Sequence, residues 1–70
     1  MNEIITISVN GQTQQVAAAT TVAELLAAAG IDTAHVAVEY NGTILKRDEF
    51  ASTAIAAAAC LEIVHFVGGG

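Results

Sequence analysis

Two Asn-Gly dipeptides, Asn10-Gly11 and Asn41-Gly42, each follow a short run of alternating apolar residues, and they constrain the fold more than any other feature of the chain. Asn and Gly both tolerate positive φ, so each dipeptide suits the two-residue turn whose twist matches that of its flanking strands. Ahead of the first, Ile4 to Val9 alternates, with Ile5, Ile7 and Val9 on one face and Ile4, Thr6 and Ser8 on the other. Gln12 to about Val16 then folds back as a second strand. Ahead of the other, Val36, Val38 and Tyr40 alternate with Ala37 and Glu39, and Thr43 to Leu45 returns. The chain is therefore predicted to hold two β-hairpins.

Between them, Thr21-Val22-Ala23-Glu24 has the form of a capping box, in which the Thr oxygen accepts from the Glu24 N–H and the Glu carboxylate from the Thr N–H. Val22, Leu25, Leu26 and Ala29 fall on one helical stripe, which must cover the sheet. Gly30 suits the left-handed helix end, with Ile31 closing over it. Lys46-Arg47-Asp48-Glu49 reads as a solvated bend, and Phe50 as an anchor re-entering the core. Ala51 to Cys60 has only Ile55 as a bulky apolar residue before Leu61, so a short helical or irregular connector is expected there. Leu61 to Val67 returns to strand character, ahead of Gly68-Gly69-Gly70.

This order predicts an α+β fold, a mixed sheet of four to five strands with one helix packed across it, the layout of a ubiquitin-like β-grasp domain. Residues 1–67 would form the single domain and 68–70 a flexible glycine tail. Seventy residues suit one domain and leave little room for an enclosed active site. Ala supplies 15 of the apolar residues, so the core rests on the Ile, Leu, Val and Phe side chains. A net charge of −5 opposes binding to nucleic acid or an anionic membrane and favours a basic protein surface. The lone Cys60 makes no disulfide within the chain, and no metal-ligand spacing is present. Without a basic leader or a long apolar run, the expectation is a cytoplasmic protein, a monomer when free.

The last strand carries the chemistry. If Glu62 faces water, a period of two puts Val64 and Phe66 outward with it, while Leu61 and Ile63 point into the core. Two large apolar side chains then stand beside a tail that has no side chains, which suggests a partner-docking surface. Ordering three glycines costs roughly 1–2 kcal/mol each, and burying a Val and a Phe returns roughly 1.5–3 kcal/mol each. Glycine, lacking a Cβ, passes through a slot only as wide as the backbone. A carboxylate so delivered can attack the α-phosphate of ATP and give an acyl-adenylate open to a sulfur or nitrogen nucleophile.

Val36-Ala37-Val38-Glu39-Tyr40-Asn41-Gly42, Lys46-Arg47 and the terminal block Leu61 to Gly70 together resemble the ThiS family, the sulfur carriers of thiamine biosynthesis. Val9-Asn10-Gly11 and the helix start at Thr21 fit as well. The resemblance implies a protein cosubstrate, not an enzyme. The Gly70 carboxylate would be adenylated by an activating enzyme that uses ATP, converted to a thiocarboxylate, and presented to thiazole synthase. It implies no bound cofactor, a sulfur donor such as a cysteine desulfurase, a tail of Gly68 and Gly69 leading to Gly70, and enzyme contacts at Val64 and Phe66. The family usually carries a Gly-Asp turn before the last strand, where this chain has Ala59-Cys60.

Other residues support less. Cys60 has no neighbouring cation to lower its pKa and reads as a buried small apolar residue. His35 and His65 have no nucleophile at a recognisable spacing, and His65 is expected at the rim with its ring partly buried. Asp48 and Glu49, adjacent on a charged bend, read as solvated. Two competing readings remain at this level: a carrier for molybdopterin synthesis, and a ubiquitin-like binding module or modifier that would keep its partner after loss of Gly69-Gly70.

Overall fold

A computed structural model of the chain describes residues 3–66. Both Asn-Gly turns form as the sequence predicts. Asn10 and Gly11 have φ of 52° and 79°, and Asn41 and Gly42 have 49° and 86°, the paired positive values of a type I′ turn. They join β1 (Ile4–Val9) to β2 (Gln12–Ala17) and β3 (Val36–Tyr40) to β4 (Thr43–Leu45). The last strand, β5 (Cys60–His65), runs parallel to β1 and antiparallel to β3. The sheet order β2-β1-β5-β3-β4 therefore places the final strand at the centre.

The helix α1 (Val22–Ala28) begins with both halves of the capping box, Glu24 N–H to Thr21 Oγ1 at 3.1 Å and Thr21 N–H to Glu24 Oε1 at 2.9 Å. It ends with Gly30 at φ +72°, the Gly30 N–H on the Ala27 carbonyl at 3.0 Å and the Ile31 N–H on that of Leu26 at 2.9 Å. These two bonds satisfy carbonyls that the helix end would otherwise leave open. Val22, Leu25 and Leu26 are buried against the sheet. Ala29, expected on the same stripe, is exposed: the helix stops at Ala28, so the chain has already turned away from the sheet there.

One face of the sheet and this helix enclose the core, Ile7, Val36, Val38, Leu61 and Ile63 from the strands with Phe50, Ile55 and Ala59 from the connector. The charge run enters a 3₁₀ turn, Arg47–Ser52, begun by the Lys46 N–H on the Glu49 carboxylate at 2.8 Å. Phe50 anchors it at 3% exposure, and its charged residues face water. A second 3₁₀ turn, Thr33–His35, leads from the helix to β3. The rest of the connector is held first by an antiparallel bridge of Thr21 with Ala54, closed by the Val22 N–H on the Thr53 carbonyl at 3.0 Å and the Ile55 N–H on the Thr20 carbonyl at 2.8 Å. The Ala56 N–H on the Tyr40 hydroxyl at 2.9 Å and the Ala58 N–H on the Thr6 carbonyl at 2.8 Å hold it further along.

Cys60 is exposed, contrary to the buried position expected for it. It is the first residue of β5, and alternation assigns it to the outward face with Glu62, so Ala59 and Leu61 take the core positions on either side. β5 ends at His65, and Phe66 lies just beyond it. Val67 and the proposed tail, Gly68 to Gly70, lie outside the described residues.

The Ala-rich turns store strain. Ala19 and Ala58 have φ of 70° and 66°, a region in which a Cβ crowds its own carbonyl at a cost of about 1–2 kcal/mol per residue. Ala58 occupies the bend ahead of β5 where glycine would be relaxed. Ala58→Gly and Ala19→Gly are each expected to stabilise the domain by about 1 kcal/mol, partly offset by the greater backbone entropy of glycine when unfolded. In thermal denaturation this reads as a rise of several degrees in Tm, about 4–8 °C per kcal/mol for a domain of this size.

Candidate functional site

β5 carries the residues that the sequence singled out, and both hairpin turns hold it in place. Its pairing with β1 covers only two residue pairs, Ser8 with Cys60 and Val9 with Leu61. Beyond them the Asn10 N–H still reaches the Leu61 carbonyl at 2.9 Å, and then the Asn10 side chain takes over. Its Oδ1 accepts from the Ile63 N–H at 2.7 Å and its Nδ2 donates to the Ile63 carbonyl at 3.2 Å. The amide thus imitates one further residue of a strand. On the opposite side, Asn41 Oδ1 accepts from the Cys60 N–H at 2.8 Å, and the Asn41 N–H donates to the Cys60 carbonyl at 2.8 Å. The same two asparagines that make the turns therefore clamp β5 at both ends of its buried half, a role their position in a turn did not reveal.

With β5 so fixed, alternation decides what faces outward. Leu61 and Ile63 are buried at 0% and 8% exposure, whereas Val64 and Phe66 are 58% and 50% exposed. The antiparallel register sets Val64 opposite Ala37, and the Phe66 N–H donates to the His35 carbonyl at 3.1 Å, extending the ladder by one bond. Glu62 lies opposite Glu39, and Glu39 in turn opposite Ile44, which is 68% exposed. The uncovered face therefore carries Ile44, two facing carboxylates, and then Val64 and Phe66 toward the end of the strand. Sequence reading passed over Ile44, although its alternation with Leu45 places it outward. Like charges directly opposite one another weaken a strand pair, so Glu39 and Glu62 are a local cost to the free domain.

His65 lies on the helix side, as its alternation with Leu61 and Ile63 requires, but it is exposed rather than partly buried, because the short helix does not extend over this end of the strand. His35 belongs to a separate pair. Asp32 Oδ1 accepts from the Ala34 N–H at 2.9 Å, and His35 Nδ1 stands 3.2 Å from Oδ2. The Ala34 N–H and then the His35 ring hold the Asp32 carboxyl below the ordinary aspartate value of 3.8. A lowered carboxyl stabilises the fold above that value, and the contribution is lost as pH falls through the lowered one. The pair is exposed. Among the described residues no three potential metal ligands converge, and no helix is long and apolar enough to cross a membrane.

A mixed sheet with the C-terminal strand at its centre and one helix across one face is the ubiquitin-like β-grasp fold. The family model named ThiS matches residues 5–70, and the chain belongs to the ThiS family. The crystal structure of the thiamine biosynthesis protein ThiS from Geobacter metallireducens superposes with a TM-score of 0.78 at 35% identity, covering 94% of this chain and all of that one. A solution structure of a thiamine biosynthesis protein from the same organism gives 0.74 at 35% identity over 94% of this chain and 88% of the other. A protein from Paramagnetospirillum magneticum named thiazole synthase is 40% identical over 62 residues, 89% of this chain. The chain spans only 19% of that relative's length.

The Asn10 clamp is testable apart from the turn it sits in. Asn10→Gly keeps a residue that accepts positive φ but removes both side-chain bonds to Ile63. The expected loss is about 1–3 kcal/mol for two part-buried hydrogen bonds, together with faster hydrogen exchange at the Ile63 amide than at the Val9 and Gln12 amides flanking the turn.

Proposed function

We propose that this chain is a sulfur carrier of thiamine biosynthesis, a protein cosubstrate whose C-terminal Gly70 carboxylate is activated and converted to a thiocarboxylate. The observation that supports this most is the ThiS family match running through residue 70, over an ending of three glycines that follows the central strand. In the proposed reaction a carboxylate oxygen of Gly70 attacks the α-phosphorus of ATP on an activating enzyme and expels pyrophosphate. A persulfide supplied by a donor such as a cysteine desulfurase then displaces AMP from the acyl carbon to give an acyl disulfide. A second thiol cleaves its S–S bond, so that the donor and thiol leave as a disulfide and the carrier keeps one sulfur in place of one oxygen. Gly68 and Gly69 serve as the narrow lead to that carbon, which no side chain obstructs. The carrier supplies no catalytic group and binds no cofactor of its own.

Thiazole synthase is the proposed acceptor. A stretch similar to this chain inside a protein named thiazole synthase supports that choice, since joining carrier and acceptor in one chain raises their effective concentration. The docking surface proposed for the enzymes is the uncovered sheet face beside the tail, with Val64 and Phe66 as apolar anchors. The carboxylates of Glu39 and Glu62, unfavourable to each other in the free domain, favour a partner that brings a cation between them.

The decisive measurement is intact mass after incubation with activating enzyme, ATP and sulfur donor. The expected change is the exchange of one oxygen for one sulfur, absent when Gly70 is deleted, and an unchanged mass with demonstrably active enzymes overturns the reading. Phe66→Asp is expected to raise the KM for activation about tenfold or more, the worth of a buried aromatic anchor, while leaving Tm nearly unchanged because the side chain is exposed. Glu62→Lys separates the two roles of the acidic row. It exchanges a repulsive cross-strand pair for an attractive one, with a gain of about 0.2–1 kcal/mol in stability, and slows association with the enzyme.

A further inference from the structure

The border of the sheet formed by β2, on the helix side rather than the face of Val64 and Phe66, holds a second feature that the carrier reading does not use. β2 pairs with β1 alone and forms one border of the sheet. The two-residue turn makes Val9 and Gln12 a hydrogen-bonded pair, so the pairs Ile7 with Gln14 and Ile5 with Val16 are bonded too. The N–H and C=O groups of Thr13 and Gln15 consequently point away from β1, to the open border. The Ala17 carbonyl, next in that row, is taken by the Thr20 N–H at 3.2 Å and the Thr20 hydroxyl at 2.6 Å, which closes the row at one end. Sheet borders are usually protected by charge, proline or a bulge. Gln12–Ala17 contains no charged residue and no proline, and its register with β1 is unbroken.

Beside this border lies a groove of about 480 Å³, between β2 and α1. Val16, Leu25, Ile31 and Ile63 give it an apolar floor, and the short side chains of Ala28 and Ala29 leave it open on the helix side. Glu24 and His65 are the titratable groups on its wall. The Glu24 carboxylate accepts from the Thr21 N–H and has no cation bridged to it among the described residues. Strand groups with no partner among the described residues, next to an apolar groove, with a carboxylate at the wall and a net charge of −5, define the chemistry of what fits there. We propose that β2 and this groove bind an extended basic segment of a partner protein by strand addition. Its backbone would pair with Thr13 and Gln15, alternate apolar side chains would enter the groove over Val16, and a Lys or Arg would lie beside Glu24. A second copy of this chain fits worse, because it would bring a second charge of −5 and no cation from its own β2.

The site is separate from the face carrying Val64 and Phe66, so the two surfaces can be occupied together and tested independently. The probe is an acetylated, amidated peptide, Lys-Val-Ser-Ile-Ser-Val-Lys, titrated into the full chain at low salt and followed by amide and methyl NMR. Shifts at Thr13, Gln15, Val16, Leu25, Ile31 and Ile63 are expected, with little change in the Val64 methyls or the Phe66 ring, which face the other side of the sheet. Gln15→Pro removes one outward N–H at a position that an edge strand tolerates, and is expected to weaken binding roughly three- to tenfold, the worth of one backbone hydrogen bond. Glu24→Gln keeps the capping box and removes the charge. It is expected to weaken the peptide and flatten the dependence on salt without lowering Tm appreciably.

The proposal is overturned by no shifts at millimolar peptide, by shifts confined to the uncovered sheet face, or by equal binding of a peptide N-methylated at alternate residues. A dimer in sedimentation that Gln15→Pro dissolves also overturns it, since the border would then be filled by a second copy. None of these results bears on whether Gly70 carries sulfur.

Discussion

The pairing of the last strand between β1 and β3 is the constraint on which the rest of this small domain depends. β5 joins two hairpins that otherwise share no sheet neighbour, and it contributes Leu61 and Ile63 to the centre of the core. Its parallel contact with β1 is short, two residue pairs, and the Asn10 amide lengthens it by mimicking the strand that β1 no longer provides. A turn residue thereby does the work of a strand residue. The outward row of Glu62, Val64 and Phe66 is fixed by the same pairing, so the fold's weakest seam and the surface proposed for its partners share one element.

The division of faces follows from how little the chain has to bury. One seven-residue helix covers one side of five strands, and only Val22, Leu25 and Leu26 of it are buried. The other side must remain open, and Ile44, Val64 and Phe66 stand on it with half or more of their surface in water. Alanine accounts for the rest of the shape. It lets the chain pass close to itself at Ala54 and Ala59, strains the backbone at Ala19 and Ala58, and leaves the groove between α1 and β2 unfilled. A core of this size lies toward the low end of domain stability, so left-handed alanines are a measurable fraction of the total. In the turn ahead of β5, Ala58 adopts a left-handed conformation that glycine would take without strain.

The sequence by itself determined what nearest neighbours decide. Asn-Gly after an alternating run gave both hairpins, Thr21 with Glu24 gave the helix start, Gly30 with Ile31 its end, and the period of two from Leu61 gave the outward position of Val64 and Phe66. Each follows from φ preference, a local hydrogen bond or side-chain alternation, which are properties of a few adjacent residues. The same alternation, carried one residue back, places Cys60 outward; treating it as a buried thiol let residue type override register. What only the tertiary structure decided was contact between residues distant in the chain: the Asn10 amide on Ile63, the Asn41 amide on Cys60, the Tyr40 hydroxyl on Ala56, the exposure of His65 and the groove beside β2. Those depend on where whole elements come to rest, which is fixed by the summed burial of the core and leaves no mark in any short stretch of sequence.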